Sequence, residues 1–139
     1  MDTIFALATA QGKDGVAIIR ISGPQAFIAA KILCHSVPPN QAPKLKTLVD
    51  ENGLVLDRAL VLSFSGPKSF TGEDTVEFHL HGSTAVISIV LKTLGLGVAR
   101  LAEPGEFTRR ALDNNKLDLA QVEGLADLIE AETEVQRRQ

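Results

Sequence analysis

Arg20, Glu77, His79, His81 and Lys116 are the residues of this chain whose types and surroundings suggest chemistry. Arg20 stands inside the apolar run Val16-Ala17-Ile18-Ile19-Arg20-Ile21. A guanidinium there needs a carboxylate or a ligand anion as partner. The competing readings are an ion pair that only supports the fold, or a strand-end arginine that extends its head to solvent. Glu77 lies in Asp74-Thr75-Val76-Glu77-Phe78-His79-Leu80-His81. A period of two puts Glu77, His79 and His81 on one face of a strand and Val76, Phe78 and Leu80 on the other. One carboxylate and two imidazoles at this spacing could ligate a metal as a facial triad, the chemistry of a metal-dependent hydrolase. The plainer reading is a polar strand face lining a cleft or facing solvent, because tetrahedral sites usually draw ligands from several elements.

Lys116 stands in Asn114-Asn115-Lys116-Leu117-Asp118, a junction between two helices. Asn115 can adopt the left-handed conformation that ends the first helix, and Asp118 can cap the second. From such a junction a flexible ammonium can reach a ligand; otherwise it is a solvated lysine favouring a helix C-terminus. Cys34 is the single cysteine, so neither an internal disulfide nor a four-cysteine zinc site exists in these residues. Nothing beside Cys34 in sequence would activate it, and a buried, inert thiol is expected.

Other catalytic patterns are missing from the sequence. Gly12-Lys13 is followed by Asp14 rather than Ser or Thr, and Leu7 stands where a Walker A loop begins with Gly. There is no G-x-G-x-x-G after a strand and no G-x-S-x-G elbow. These 139 residues therefore carry no nucleotide-binding loop and no serine-hydrolase nucleophile of the usual kind.

The elements that must position the candidates read as follows. Thr3 to Ala8 is a short apolar strand, and Ala10 to Gly15 a loop. Val16 to Ile21 is β-branched and apolar on both faces, which suits a strand covered on both sides. Ser22-Gly23-Pro24 begins a helix running to about Cys34. Pro38, Pro39 and Pro43 mark an exposed loop. Lys46 to Ser65 forms a hairpin turning at Asp50-Glu51-Asn52-Gly53. Asp74 to His81 is a strand, and Gly82-Ser83 opens a helix from Thr84 to Leu94. Val98 to Leu101 is a short strand, and Pro104-Gly105 starts a helix from Glu106 to about Asp113. This order predicts an α/β (α+β) sandwich with helices packed on a mixed sheet. Asp118 and Gln121 have the form of a capping box. Val122, Leu125, Ala126 and Ile129 then give a helical stripe that needs a partner. The pattern reaches Gln139 without a stop signal, which suggests the front piece of a longer protein.

Composition narrows the classes. At 45% hydrophobic and 22% charged residues, the chain can build a buried core. Its 14 Lys and Arg against 17 Asp and Glu make it a poor electrostatic match for a polyphosphate backbone. Six Phe, with no Trp or Tyr, argue against reading bases by stacking. No basic region precedes the first apolar run, and the longest nearly uncharged stretch, Gly82 to Leu91, falls far short of the roughly 20 residues that span a bilayer. A soluble, reduced, cytoplasmic domain with no membrane partner is expected.

Three segments carry more than composition. They are Gly15-Val16-Ala17-Ile18-Ile19-Arg20-Ile21-Ser22-Gly23-Pro24, then Phe70-Thr71-Gly72-Glu73-Asp74-Thr75-Val76-Glu77-Phe78-His79-Leu80-His81-Gly82. The third is Pro104-Gly105-Glu106-Phe107-Thr108-Arg109-Arg110-Ala111 with Lys116-Leu117-Asp118-Leu119-Ala120-Gln121. In this order and spacing they resemble the N-terminal domain of the tRNA-modification GTPase family, MnmE or TrmE, over nearly the whole chain.

The resemblance implies an α/β module similar to the tetrahydrofolate-binding domains of folate-dependent aminomethyltransferases. It implies a homodimer and a 5-formyl-tetrahydrofolate-type cofactor, with Arg20, Glu77 and Lys116 as the folate-contacting residues. A further folate-contacting lysine of the family lies near its C-terminus, outside this chain. Residues 1–118 would be the folate-binding and dimerisation domain, and 119–139 the first helix of a helical domain in which a Ras-like GTPase domain is inserted. GTP, Mg and K would belong to that absent GTPase domain. With a flavoprotein partner, the whole enzyme would build an aminomethyl-type group on C5 of the tRNA wobble uridine. The domain alone would not be catalytic. A self-standing folate-dependent one-carbon transferase is the alternative. Two departures stand out: Ser83 where the family commonly has Gly, and Lys13-Asp14 where it commonly has Arg-Gly. In physical terms, Glu77 suits the pterin edge, where one carboxylate can accept an amide N–H and an amino group side by side. Arg20 or Lys116 could neutralise the carboxylated tail.

Overall fold

The computed structural model describes residues 2–9, 15–40, 42–81 and 83–117. The loop from Ala10, Gly82, the Asp118–Gln121 capping box and the apolar stripe beyond it lie outside the described residues. Six strands and three helices follow in the order β1 (Ile4–Thr9), β2 (Ala17–Ser22), α1 (Ala26–Ala30), β3 (Lys44–Val49), β4 (Val55–Phe64), β5 (Thr75–Leu80), α2 (Thr84–Gly95), β6 (Arg100–Leu101) and α3 (Glu106–Asp113). The strands form one sheet in the order β3-β4-β5-β2-β1-β6. Among the described strands, β1 and β6 pair in parallel and the other neighbours are antiparallel. The sheet is therefore mixed, as expected, and its mainly antiparallel pairing makes the fold α+β.

Alternation decides the faces. Ala17, Ile19 and Ile21 of β2, with Val76, Phe78 and Leu80 of β5, point into the core. Ala59 and Val61 of β4 join them, and Ala26, Ala29 and Ala30 of α1 and Ile87, Val90 and Leu94 of α2 cover them. The opposite face carries Arg20, Glu77 and His79. It is only partly covered, so β2 is sealed on one side rather than on both.

The hairpin turns where expected: Asp50 Oδ1 accepts the N–H groups of Asn52 and Leu54 at 2.8 and 2.9 Å, and Gly53 takes a left-handed φ of 81°. Ser83 caps α2 by accepting from the Val86 N–H. The first helix departs from expectation. Ser22 belongs to β2, and its hydroxyl donates to Glu73 rather than capping a helix. Thr3 Oγ1 takes the Gln25 N–H instead, at 2.8 Å. Gly23, at φ 143°, sits so close to Thr3 that an added Cβ would lie 2.5 Å from its Cα. Regular α1 is only five residues long, and Lys31, Ile32 and Leu33 continue in tighter turns that bond three residues back. Pro38 is buried rather than exposed, with its carbonyl accepting from the Ser63 hydroxyl at 2.6 Å.

Helix α3 is held by charge. Arg110, only 4% exposed, donates to both oxygens of Glu73 at 3.1 and 3.2 Å. It also donates to the Asp2 carbonyl and carboxylate at 2.7 and 2.8 Å and to Glu106 at 3.3 Å. Arg100 of β6 adds bonds to Glu106 at 3.0 and 2.7 Å and pairs with Asp2. Removing one partner from such a cluster strands the remaining buried charges, so Arg110→Ala is expected to cost about 3–5 kcal/mol in urea unfolding.

The same cluster sets an acid limit. The Arg100 hydrogen bond lowers the Asp2 carboxyl from 3.8 to about 2, with burial opposing and Arg110 assisting. Glu106 is lowered from its ordinary 4.5, chiefly by its hydrogen bond to Arg100. Because both groups bind protons more weakly when folded, protons favour the unfolded chain. Their contribution is complete above pH about 4.5 and is lost as pH falls towards 2. Equilibrium unfolding followed across that range should show stability falling with pH, and Arg100→Gln should flatten the slope.

Candidate functional site

The site is built on one cross-strand pair. Antiparallel β2 and β5 are in a register that sets Arg20 directly opposite Glu77, with Ile18 opposite His79. Arg20 Nε donates to Glu77 Oε2 at 3.0 Å, and His79 Nε2 lies 3.1 Å from Glu77 Oε1. The side chains are 18% and 15% exposed for Arg20 and Glu77, half sunk in the sheet face. Burial pushes the Glu77 carboxyl up, but the His79 hydrogen bond and the charge and hydrogen bond of Arg20 outweigh it and hold the group below its ordinary value. Glu77 is accordingly an ionised acceptor at neutral pH.

Two rings flank the guanidinium. Phe70, from the loop joining β4 to β5, lies 4.9 Å from the Arg20 guanidinium carbon at its centroid, and Phe107 of α3 lies at 5.4 Å. Both distances are within cation–π range. With Nε committed to Glu77, the terminal Nη groups of Arg20 have no hydrogen-bond partner among the described residues. The result is a fixed donor fork beside a fixed carboxylate, one group offering N–H donors and the other acceptor lone pairs.

Lys116 sits at the end of α3, as the sequence pattern predicts. Asn115 adopts φ 59°; its N–H bonds Leu112 O at 3.0 Å and the Lys116 N–H bonds Ala111 O at 2.8 Å. This is the double bond pattern of a Schellman cap. The Lys116 side chain is exposed, and among the described residues it makes no ion pair with Glu77 or any other carboxylate. The structure thus joins Arg20 and Glu77 directly, while among the described residues no ion pair joins Lys116 to them. One tether links the two regions: Asn114 Nδ2 donates to the Thr71 carbonyl at 2.8 Å, next to Phe70.

His81 is exposed and takes no part in the cluster. Among the described residues, no group of three or more His, Cys, Asp or Glu side chains is arranged to hold a metal ion. Cys34 is buried, as expected, and burial pushes its thiol up. Sequence reasoning singled out neither Phe70 nor Phe107 individually, nor Asn114, nor the Arg110 cluster. The i, i+4 spacing of Glu106 and Arg110 on a short helix was the available signal for the last.

Fold and site together define an α+β domain bearing an Arg–Glu–His cluster, built round an ionised Glu77, on the partly open face of its sheet. The family model described as GTP-binding protein TrmE N-terminus matches residues 3–116. The chain belongs to this family. It is 61% identical over its whole length to the tRNA modification GTPase MnmE of Roseobacter denitrificans and covers 33% of that protein. For the MnmE proteins of a Ruegeria species and Caulobacter vibrioides, the identities are 63% and 58%, over 100% and 99% of this chain and 33% and 31% of theirs. The chain thus spans about a third of the length of these curated relatives. Among the described residues, no helix is long and apolar enough to cross a membrane.

Proposed function

We propose that this chain is the folate-binding and homodimerisation domain of a tRNA-modification GTPase, with Arg20, Glu77 and Lys116 as its folate contacts. The observation that carries the reading is the Arg20–Glu77 pair, with an Nη fork unpaired among the described residues. Each Glu77 oxygen already accepts one hydrogen bond, and a carboxylate oxygen has a second lone pair to offer. The residues therefore fit a reduced pterin, whose amide and amino edge seeks acceptors and whose carbonyl and tail carboxylates seek donors. When bound, the folate supplies the one-carbon unit. The protein's own contribution is to orient the ring edge against Glu77, to offer Arg20 as a donor, and to bring Lys116 to the ligand's anionic end.

The wider reading follows from the family. The fold is akin to folate-dependent aminomethyltransferase domains, and the chain serves as one part of a longer parent protein. That parent carries the GTPase domain, with GTP, Mg and K, and works with a flavoprotein on the wobble uridine of tRNA in the cytoplasm. The second copy is expected to cover apolar surface. Leu45 and Leu60, opposite each other on β3 and β4, are 52% and 45% exposed.

Calorimetric titration with 5-formyl-tetrahydrofolate tests the site. Glu77→Gln keeps the shape but turns one acceptor into a donor, and should weaken binding by about 1.5–3 kcal/mol, ten- to a hundredfold. Arg20→Ala and Lys116→Ala should also weaken it, most at low ionic strength. Wild-type binding unchanged by Glu77→Gln would refute the assignment. Absence of wild-type binding both here and in the full-length parent would refute the folate reading. Light scattering at micromolar concentration tests the second half: the mass should approach twice the 14.9 kDa of one chain, and a monomer throughout that range would count against dimerisation.

A further inference from the structure

We propose that His79 is a positioning residue for Glu77: its Nε2–H fixes Oε1 of the carboxylate, so that the second lone pairs of Glu77 face the ligand. The inference rests on the folate reading for its ligand but on the structure for its geometry. Glu77 is tethered at two points, Oε2 by Arg20 Nε at 3.0 Å and Oε1 by His79 Nε2 at 3.1 Å. Two tethers on two oxygens set the plane of the carboxylate, whereas one would leave it free to turn about its last torsion.

The tautomer follows from the partner. An ionised carboxylate can only accept, and Glu77 is held below its ordinary value, so Nε2 must carry the proton. Among the described residues, His79 has no other hydrogen-bond partner. Its cross-strand neighbours are Ile18 on β2 and Leu60 on β4, both aliphatic. The charged or titratable groups on the same face of these strands are Glu77 and Arg20, with exposed His81 two residues further along β5 and exposed Arg58 two residues from Leu60 on β4. The role needs a donor rather than a titrating ring. A glutamine, whose amide nitrogen lies at a similar reach from the backbone, should therefore substitute for the imidazole, and a leucine should not.

Titration of the purified protein with 5-formyl-tetrahydrofolate gives one measurement. His79→Gln should bind within about threefold of wild type, and His79→Leu roughly tenfold more weakly. Side-chain nitrogen–proton correlation spectra of the ligand-free protein give the other. They should show the His79 proton on Nε2 in the wild type, with that preference lost in Glu77→Gln. Equal binding by wild type and His79→Leu, while Glu77→Gln fails, would overturn the positioning role and leave the folate reading intact. A proton on Nδ1 in the wild type would overturn it as well. If neither the wild type nor the full-length parent binds folate, the ligand reading fails, and the spectrum alone decides whether His79 holds Glu77.

Discussion

Arg110 brings together three parts of the chain that are far apart in sequence. Its guanidinium meets Asp2 before β1, Glu73 in the loop ahead of β5, and Glu106 one turn earlier in α3. Each contact has a consequence at the site. Glu73 belongs to the loop that carries Phe70, and Glu106 to the helix that carries Phe107; those are the two rings against Arg20. The core under the sheet is apolar and would tolerate small adjustments in many directions. A buried guanidinium shared by three carboxylates tolerates few, since Arg110 and the Glu73 that it holds are both largely buried charges that need compensation. The geometry around Arg20 is inherited from the geometry around Arg110.

At the site, the energetic balance runs the other way. Burial pushes the Glu77 carboxyl up, because an ionised carboxyl loses hydration as it sinks into the sheet. His79 and Arg20 outweigh that effect and fix the direction of the charge. The pair therefore costs desolvation in exchange for an acceptor oriented before any ligand arrives, the arrangement that reduces ordering costs on binding. That both residues come from adjacent strands matters: their Cβ positions are set by register, which a one-residue slip would send to the core face.

Much of this was legible in the sequence because it depended on local pattern. Alternation in Asp74 to His81 predicted which residues share a face, and Asn115 announced the left-handed end of α3. The hairpin at Asp50–Gly53 and the Ser83 cap were equally local. What was not legible depended on partners distant in sequence. Ser22 has the type and place of a helix cap, but the hydroxyl goes to Glu73 and Thr71, and Thr3 takes over the N–H it would have bound. The aromatic flanks of Arg20 come from residues 50 and 87 positions away, with no periodicity to reveal them. For Lys116, sequence indicated the helix-end junction correctly.

Gly72 takes φ 84°, and a Cβ there would lie 2.8 Å from Asn114 Cβ. The same asparagine bonds the neighbouring Thr71 carbonyl. Loop and helix end are thus fitted to each other by shape and by hydrogen bond at one point. Fraying of the last turn of α3, ordinarily a local event with little consequence, here removes the support of the Phe70 loop at the same moment. In the language of native-state fluctuations the two segments form one cooperative opening unit, and the backbone amides of that loop and of the α3 cap should exchange with solvent at matched free energies.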